Sequence, residues 1–173
     1  MKNKKNLLFK KINSKMITKD YVGWLNDKQT MRFTEQRFKK HKFSDVKKYV
    51  SLIEKSKSEF LYAIIIPEKR KNIHIGNIKI GPINYNHRYA YISYFIGNKL
   101  YLNKGYGKMI IKDIIKLAKK KFYLKKILAG VYSNNIPSTK ILEFNKFKLE
   151  GRITKKFKFG NKYIDHLIYG KTL

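Results

Sequence analysis

The sequence predicts an α+β chain: a central, mostly antiparallel mixed sheet with helices on both faces. Three observations predict it. Some stretches carry apolar residues in a run or with period two, as buried strands do. Others carry them at helical spacing. The two kinds alternate along the chain, with no internal repeat and no Pro- or Gly-rich linker between them.

The elements follow in order. "NLLFKKI" reads as a first strand. In "TKDYVGWLND", Tyr21, Trp24 and Leu25 are helically spaced and Thr18 is placed to cap. "SDVKKYVSLIEKSK" is a second helix, with Ser44 as its expected cap and Val46, Tyr49, Val50 and Ile53 as its apolar face. "FLYAIIIP" is a buried strand. "NIHIGNIKIGP" alternates, with one slip at Gly76–Asn77 that suggests a bulge. "YAYISYFIG" is a further strand. In the next helix Ile110, Ile111, Ile114, Leu117 and Ala118 oppose Lys112, Lys116, Lys119 and Lys120. "KKILAGVYS" is a strand and "IPSTKILEFNK" a short helix with Pro137 in its first turn. The last two strands form a hairpin turning at Gly160–Asn161.

Length and composition narrow the function. The 173 residues suit one domain spanning 1–173. The absence of cysteine excludes disulfides, thiolate nucleophiles and Cys-ligated zinc. The four histidines lack metal-ligand spacing, so no metal is expected. The basic N-terminus has too short an apolar piece for a signal peptide, and no apolar run is long enough for a membrane span. A soluble, cytoplasmic protein with no membrane partner is expected. The net charge of +30 comes almost wholly from scattered lysines. Only Arg32, Arg37, Arg70, Arg88 and Arg152 are arginines, and arginine is the better fork for phosphates and bases. Nucleic acid is therefore not the expected partner. The charge instead steers acidic small molecules.

The segment "YLNKGYGK" places Gly105 and Gly107 directly before the lysine-striped helix. Unpaired N–H groups at a helix start attract phosphate, and glycines let the backbone approach it. Neither a P-loop nor a dinucleotide fingerprint is present. A plain helix cap is the alternative reading.

The stretch Leu102-Asn103-Lys104-Gly105-Tyr106-Gly107 resembles the acetyl-coenzyme A loop of the GNAT acetyltransferase superfamily, (Gln/Arg)-x-x-Gly-x-(Gly/Ala), with Leu102 as the departure. Downstream, Asn135, Ser138, Phe147 and Glu150–Gly151 resemble the family's Asn-x-x-(Ser/Ala) segment and the motif after it, with Lys146 in place of a glycine. "YAYISYFIG" resembles the strand that splays to admit the pantetheine arm, with Tyr91 in place of a glutamate. "YVGWLNDKQTMRF" is similar to the branch that holds ribosomal-protein N-terminal acetyltransferases. "WLND" followed by "EQRFKKHKFS" is similar to members of that branch that acetylate amino sugars on nucleotide carriers.

The resemblance implies direct transfer of acetyl from acetyl-coenzyme A to a primary amine in a ternary complex. Tyr94, Phe95 and Ile96 would line the thioester, with a backbone N–H of Phe95 or Ile96 as oxyanion donor. Asn103, Lys104, Gly105, Tyr106, Gly107 and Lys108 would hold the pyrophosphate by main chain. Asn135 and Ser138 would meet the pantetheine. The family's acid tyrosine falls on Leu142. Glu35, His41 and Asp165 are the candidate bases, with His166 beside the last. His74 and His87 read as ordinary strand and turn residues. The expected acceptor is the amine of a nucleotide-activated amino sugar, and the protein a monomer or homodimer. A peptide N-terminal acetyltransferase is the first alternative, and a non-catalytic RNA-associated protein the second.

Overall fold

The computed structural model describes residues 7–68 and 71–173. Asn6, at the start of the predicted first strand, and Arg70 lie outside them. A seven-stranded sheet runs in the order β1-β2-β3-β4-β5-β7-β6. Its strands are β1 (Leu8–Lys11), β2 (Phe60–Pro67), β3 (Asn72–Asn84), β4 (Tyr89–Ile96), β5 (Lys126–Tyr132), β6 (Lys148–Phe159) and β7 (Lys162–Thr172). The β1/β2, β5/β7 and β6/β7 pairings are antiparallel and β4/β5 is parallel. The expected α+β class, with a mostly antiparallel mixed sheet, is what the chain adopts.

The chain divides into two compact units. The first comprises Met1–Lys79 and Tyr94–Tyr106, the second Ile80–Ser93 and Gly107–Leu173. In the first unit, α1 (Lys19–Asn26) starts at Thr18, whose hydroxyl accepts from the Tyr21 N–H as predicted. A short helix α2 (Lys28–Met31) follows, capped by Asp27. Then comes a 3-10 turn at Glu35–Phe38, and α3 (Phe43–Lys55). The core beneath them joins Tyr21, Leu25 and Met31 to Val46, Val50, Ile53 and the inner side chains of β2. Each fully buried aliphatic side chain there contributes about 1.5–3 kcal/mol of transfer free energy.

Two local expectations are corrected. Ser44 does not cap α3. The helix begins earlier, after Lys42, because Asp45 reaches back to the Lys42 N–H at 3.3 Å and satisfies it. Tyr49 is 43% exposed rather than part of the buried face. Its hydroxyl bonds the Lys79 side chain instead.

In the second unit, α4 (Tyr106–Phe122) buries Ile110, Ile111, Ile114 and Ala118, leaves Leu117 half-buried and exposes the predicted lysine face. Helix α5 (Ile136–Phe144) follows β5 and buries Leu142. The closing hairpin turns at Gly160–Asn161, where Gly160 takes φ +61°.

Candidate functional site

The loop before α4 is built by unusual backbone. Asn103 (φ +56°) and Gly105 (φ +82°) are both left-handed, and the chain enters the helix at Tyr106 directly after them. Asparagine tolerates this region better than most residues. No acidic residue sits in the first turn of α4. The last turn carries Lys119, Lys120 and Lys121, which match the dipole. A Cβ on Gly105 would meet nothing within 4 Å, so the space over the loop is open. A helix start entered through positive φ, with open space at Gly105, fits an anionic group such as a pyrophosphate.

Side chains brace this loop. Tyr101 lies 5.5 Å from Tyr106, centroid to centroid, and its hydroxyl donates to Glu68 at 2.6 Å. That bond pushes the Tyr101 hydroxyl up to about 12. Lys104 lies over the Tyr101 ring. Lys99 donates to Asp27 at 2.9 Å, and this bond, with those from Thr30, pulls the Asp27 carboxyl down to about 2. Glu68 and Asp27 thus tie the approach to the loop, a role their sequence neighbours do not signal. The Lys108 ammonium sits 4.0 Å from the Phe144 ring centroid, so its backbone is what remains for a ligand.

In the first unit, Gly76 carries β3 against the end of β4. A Cβ there would lie 2.1 Å from the Phe95 carbonyl oxygen and 2.8 Å from Ile96 Cα. The N–H of Gly97 donates to the Ile75 carbonyl at 2.8 Å. Alternation along a strand then directs the Phe95 N–H and C=O toward β3, and those of Ile96 away from it. In the second unit, the parallel β4/β5 register covers Tyr89–Tyr91 with Lys126–Leu128. Among the described residues the ladder stops there, five residues before Ile96. Of the two expected donors, Phe95 is turned toward β3 and the Ile96 N–H away from it.

Asn135 caps α5, its Oδ1 accepting from the Ser138 N–H at 3.4 Å, so its amide NH₂ is the half left for a ligand. Ser138 is half-buried in the first turn. Leu142, where the family's tyrosine would fall, is buried and offers no acid. Lys146 takes φ +64°, so the bend expected of a glycine is made by a lysine. Asn145 secures it, donating to the Ile141 carbonyl at 2.9 Å and the Lys108 carbonyl at 3.2 Å. Lys146→Gly is expected to relieve about 1 kcal/mol of backbone strain. Thermal unfolding should register a rise of roughly 2–4 °C.

The candidate bases differ in availability. Glu35 opens the exposed 3-10 turn. His41 Nε2 lies 3.2 Å from the Gln36 carbonyl, to which it donates. The backbone N–H of His41 donates to Asn26 Oδ1, and Asn26 Nδ2 donates to the His41 carbonyl, both at 2.8 Å. Glu35 and His41 thus belong to one braced loop of the first unit. Asp165, in the second unit, is held by the Lys155 N–H at 2.8 Å and by Arg152, whose Nε donates at 2.6 Å. These lower its pKa, the Lys155 bond first, and make it a poor proton acceptor. His166 has its Nδ1 3.3 Å from the Lys156 ammonium and packs closely on Gly130.

Sequence reasoning missed a polar pair on β3. Asn77 is 2% exposed. Its Oδ1 is 2.9 Å from His74 Nε2, which also lies 3.0 Å from the Gly76 carbonyl. Asn77 Nδ2 has no partner among the described residues. Such a buried donor costs about 1–3 kcal/mol. The only sequence signal was the slip in alternation at Gly76–Asn77.

No group of three or more His, Asp or Glu side chains gathers as a metal site among the described residues, and no helix of theirs is long and apolar enough to cross a membrane. A family model described as an acetyltransferase (GNAT) domain matches residues 7–148. Among solved structures, a spermidine N-acetyltransferase from Vibrio cholerae, in complex with CoA and spermine, superposes with a TM-score of 0.83 at 19% identity over 96% of this chain and 95% of that one. A GNAT-family acetyltransferase from Bacillus anthracis gives 0.79 at 22% identity over 98% and 96%. RimL, a ribosomal L7/L12 alpha-N-protein acetyltransferase in complex with coenzyme A, gives 0.82 at 14% identity over 96% and 94%.

Proposed function

The chain belongs to the GNAT acetyltransferases, N-acetyltransferases that draw on acetyl-coenzyme A, and from that premise we propose that its acceptor is the primary amine of a nucleotide-linked amino sugar. The observation that carries this reading is the loop after α2. Arg32 stacks on Phe33 and Arg37 on Phe38, each with its guanidinium 4.5 Å from the ring centroid. Phe38 is 63% exposed. Two guanidiniums beside the exposed Phe38, with Arg37 also donating to the Arg32 carbonyl, suit a phosphorylated, partly planar acceptor. Glu35 is the only carboxylate of the loop, and the whole chain is +30.

That balance separates this chain's reading from those of its structural neighbours. A polyamine such as spermidine would bring several positive charges to a strongly positive protein, which disfavours encounter and binding. A basic peptide would meet the same repulsion. A nucleoside diphosphate is drawn in.

In the proposed reaction the N–H groups of Asn103 to Lys108 hold the pyrophosphate, and Asn135 and Ser138 the pantetheine. The Ile96 N–H donates to the carbonyl oxygen as charge develops on it, a contribution of about 3–4 kcal/mol in comparable oxyanion sites. Tyr94 and Phe95 shape the wall beside it. The neutral amine attacks, and coenzyme A leaves as the thiol. Holding both reactants together supplies much of the remaining acceleration.

An assay offering acetyl-coenzyme A with uridine- and thymidine-diphosphate amino sugars, spermidine and peptide N-termini tests the acceptor. Turnover is expected on a nucleotide-linked sugar, falling as salt is raised. Turnover confined to spermidine or peptides would refute the sugar reading. Peptide turnover would favour the second reading, that of a protein N-terminal acetyltransferase, to which the likeness to RimL lends support.

A further inference from the structure

The strand β3 carries a histidine whose tautomer the protein fixes. His74 Nε2 faces two oxygens, the Gly76 carbonyl at 3.0 Å and Asn77 Oδ1 at 2.9 Å. A ring nitrogen between two acceptors carries the proton. In the neutral imidazole Nδ1 is then an unprotonated base. Asn77 makes this lock from a position that is 2% exposed, and its own Nδ2 has no partner among the described residues. Leucine there would avoid a stranded donor, so the asparagine serves something other than stability.

The surroundings place the ring beside the reacting strand. His74 packs on Trp24, ring centroids 5.0 Å apart, and at 6.1 Å from Tyr21. Trp24 and Tyr21 each lie 6.5 Å from Phe95. Gly76, whose carbonyl orients the imidazole, is the residue pressed against Phe95 and Ile96. His74 is half-buried, so its ring is not sealed from a ligand. Of the titratable groups around it, Asp20 and Tyr21 come from α1. Burial lowers the His74 pKa, outweighing the bonds to Asn77 and the Gly76 carbonyl and the Asp20 carboxylate, all of which favour the imidazolium. Tyr21 is pushed up by burial and stays neutral. The imidazole is therefore in its basic form at neutral pH. His166, the other histidine tuned this way, has its Nδ1 turned to the Lys156 ammonium.

We propose that His74, through Nδ1, takes the proton from the acceptor's ammonium group, and that Asn77 is the positioning residue that locks its tautomer. The inference rests on the reading that places the thioester at Ile96. The acceptor ammonium loses one proton to Nδ1, and the freed amine forms the N–C bond to the acetyl carbon. As the C–S bond breaks, the thiolate becomes the thiol with the second proton shed by the nitrogen. The imidazolium returns the first proton to solvent, so one proton is released per acetyl group transferred.

The test compares wild type with His74→Gln and Asn77→Leu, using the amine acceptor that turns over best. His74→Gln should lower kcat/KM about 100- to 1,000-fold at pH 7, with acetyl-coenzyme A affinity within about twofold of wild type. The gap should close as pH rises and the amine deprotonates in bulk water, because a base is then not needed. Asn77→Leu should lower kcat by roughly tenfold and shift the acidic limb of the pH profile while leaving KM for acetyl-coenzyme A in place. Ring ¹⁵N shifts of His74 in the wild-type protein should report the Nε2–H tautomer, a readout that needs neither turnover nor a folded variant. An Nδ1–H tautomer, an unchanged kcat/KM in active His74→Gln, or a gap that persists at high pH would each overturn the inference alone. A wild-type protein that binds no acetyl-coenzyme A would overturn the transfer reading and this inference with it.

Discussion

Gly76→Ala is expected to destabilise the protein by about 3–5 kcal/mol, from overpacking plus lost ladder bonds. The added methyl would stand 2.1 Å from the Phe95 carbonyl oxygen, and that atom is backbone, so no rotamer change can clear it. The strands must part where Gly97 and Asn98 donate to the Ile75 carbonyl at 2.8 and 3.0 Å. Thermal unfolding followed by circular dichroism should show a loss on the order of 10 °C. A midpoint within two or three degrees of wild type would mean that this approach is not tight.

Gly105→Val should act in the opposite way, sparing the fold and removing the ligand. Its Cβ would meet nothing within 4 Å, so no packing is lost. The cost is the φ of +82°, which a β-branched residue resists by more than the roughly 1–2 kcal/mol of an ordinary side chain. The loop is expected to relax to negative φ and turn its N–H groups away from the pyrophosphate. Calorimetric titration should find acetyl-coenzyme A bound at least ~100-fold more weakly, or about 2.7 kcal/mol, with the melting midpoint nearly unchanged. Wild-type affinity in this variant would show that the loop's main chain does not hold the cofactor.

What the sequence disclosed was whatever depends on near neighbours. The Thr18 cap, the apolar stripe of α4 and the Gly160 turn are set by residues within one turn of helix or one hairpin, and each stands where the pattern put it. The start of α3 differs because Ser44 reads as a cap in sequence, whereas Asp45, at the third helical position, bonds back to the Lys42 N–H and starts the helix earlier. The site was less legible than the fold. The Gly76–Asn77 slip is visible in the alternation, yet its meaning lies in Phe95, Ile96 and His74, which meet it only in the folded chain. Lys146 shows the converse. A residue that departs from the motif takes the left-handed backbone that glycine favours, and Asn145 bonds the Lys108 and Ile141 carbonyls beside it. Asp165 looked like a base by position, and Arg152 and the Lys155 N–H have already claimed it.

The reciprocal pairing of Asn26 with His41 has a consequence for how such an enzyme can change. One side-chain amide imitates a neighbouring strand, closing a two-bond ring with the His41 main chain. It pins the far end of the segment that carries Phe33, Glu35, Arg37 and Phe38. Within that segment, exchange of one side chain for another leaves the pin and α3 behind it undisturbed. On the proposed reading, exchange of an exposed residue such as Phe38 would alter acceptor preference while the Asn26–His41 pin stays in place.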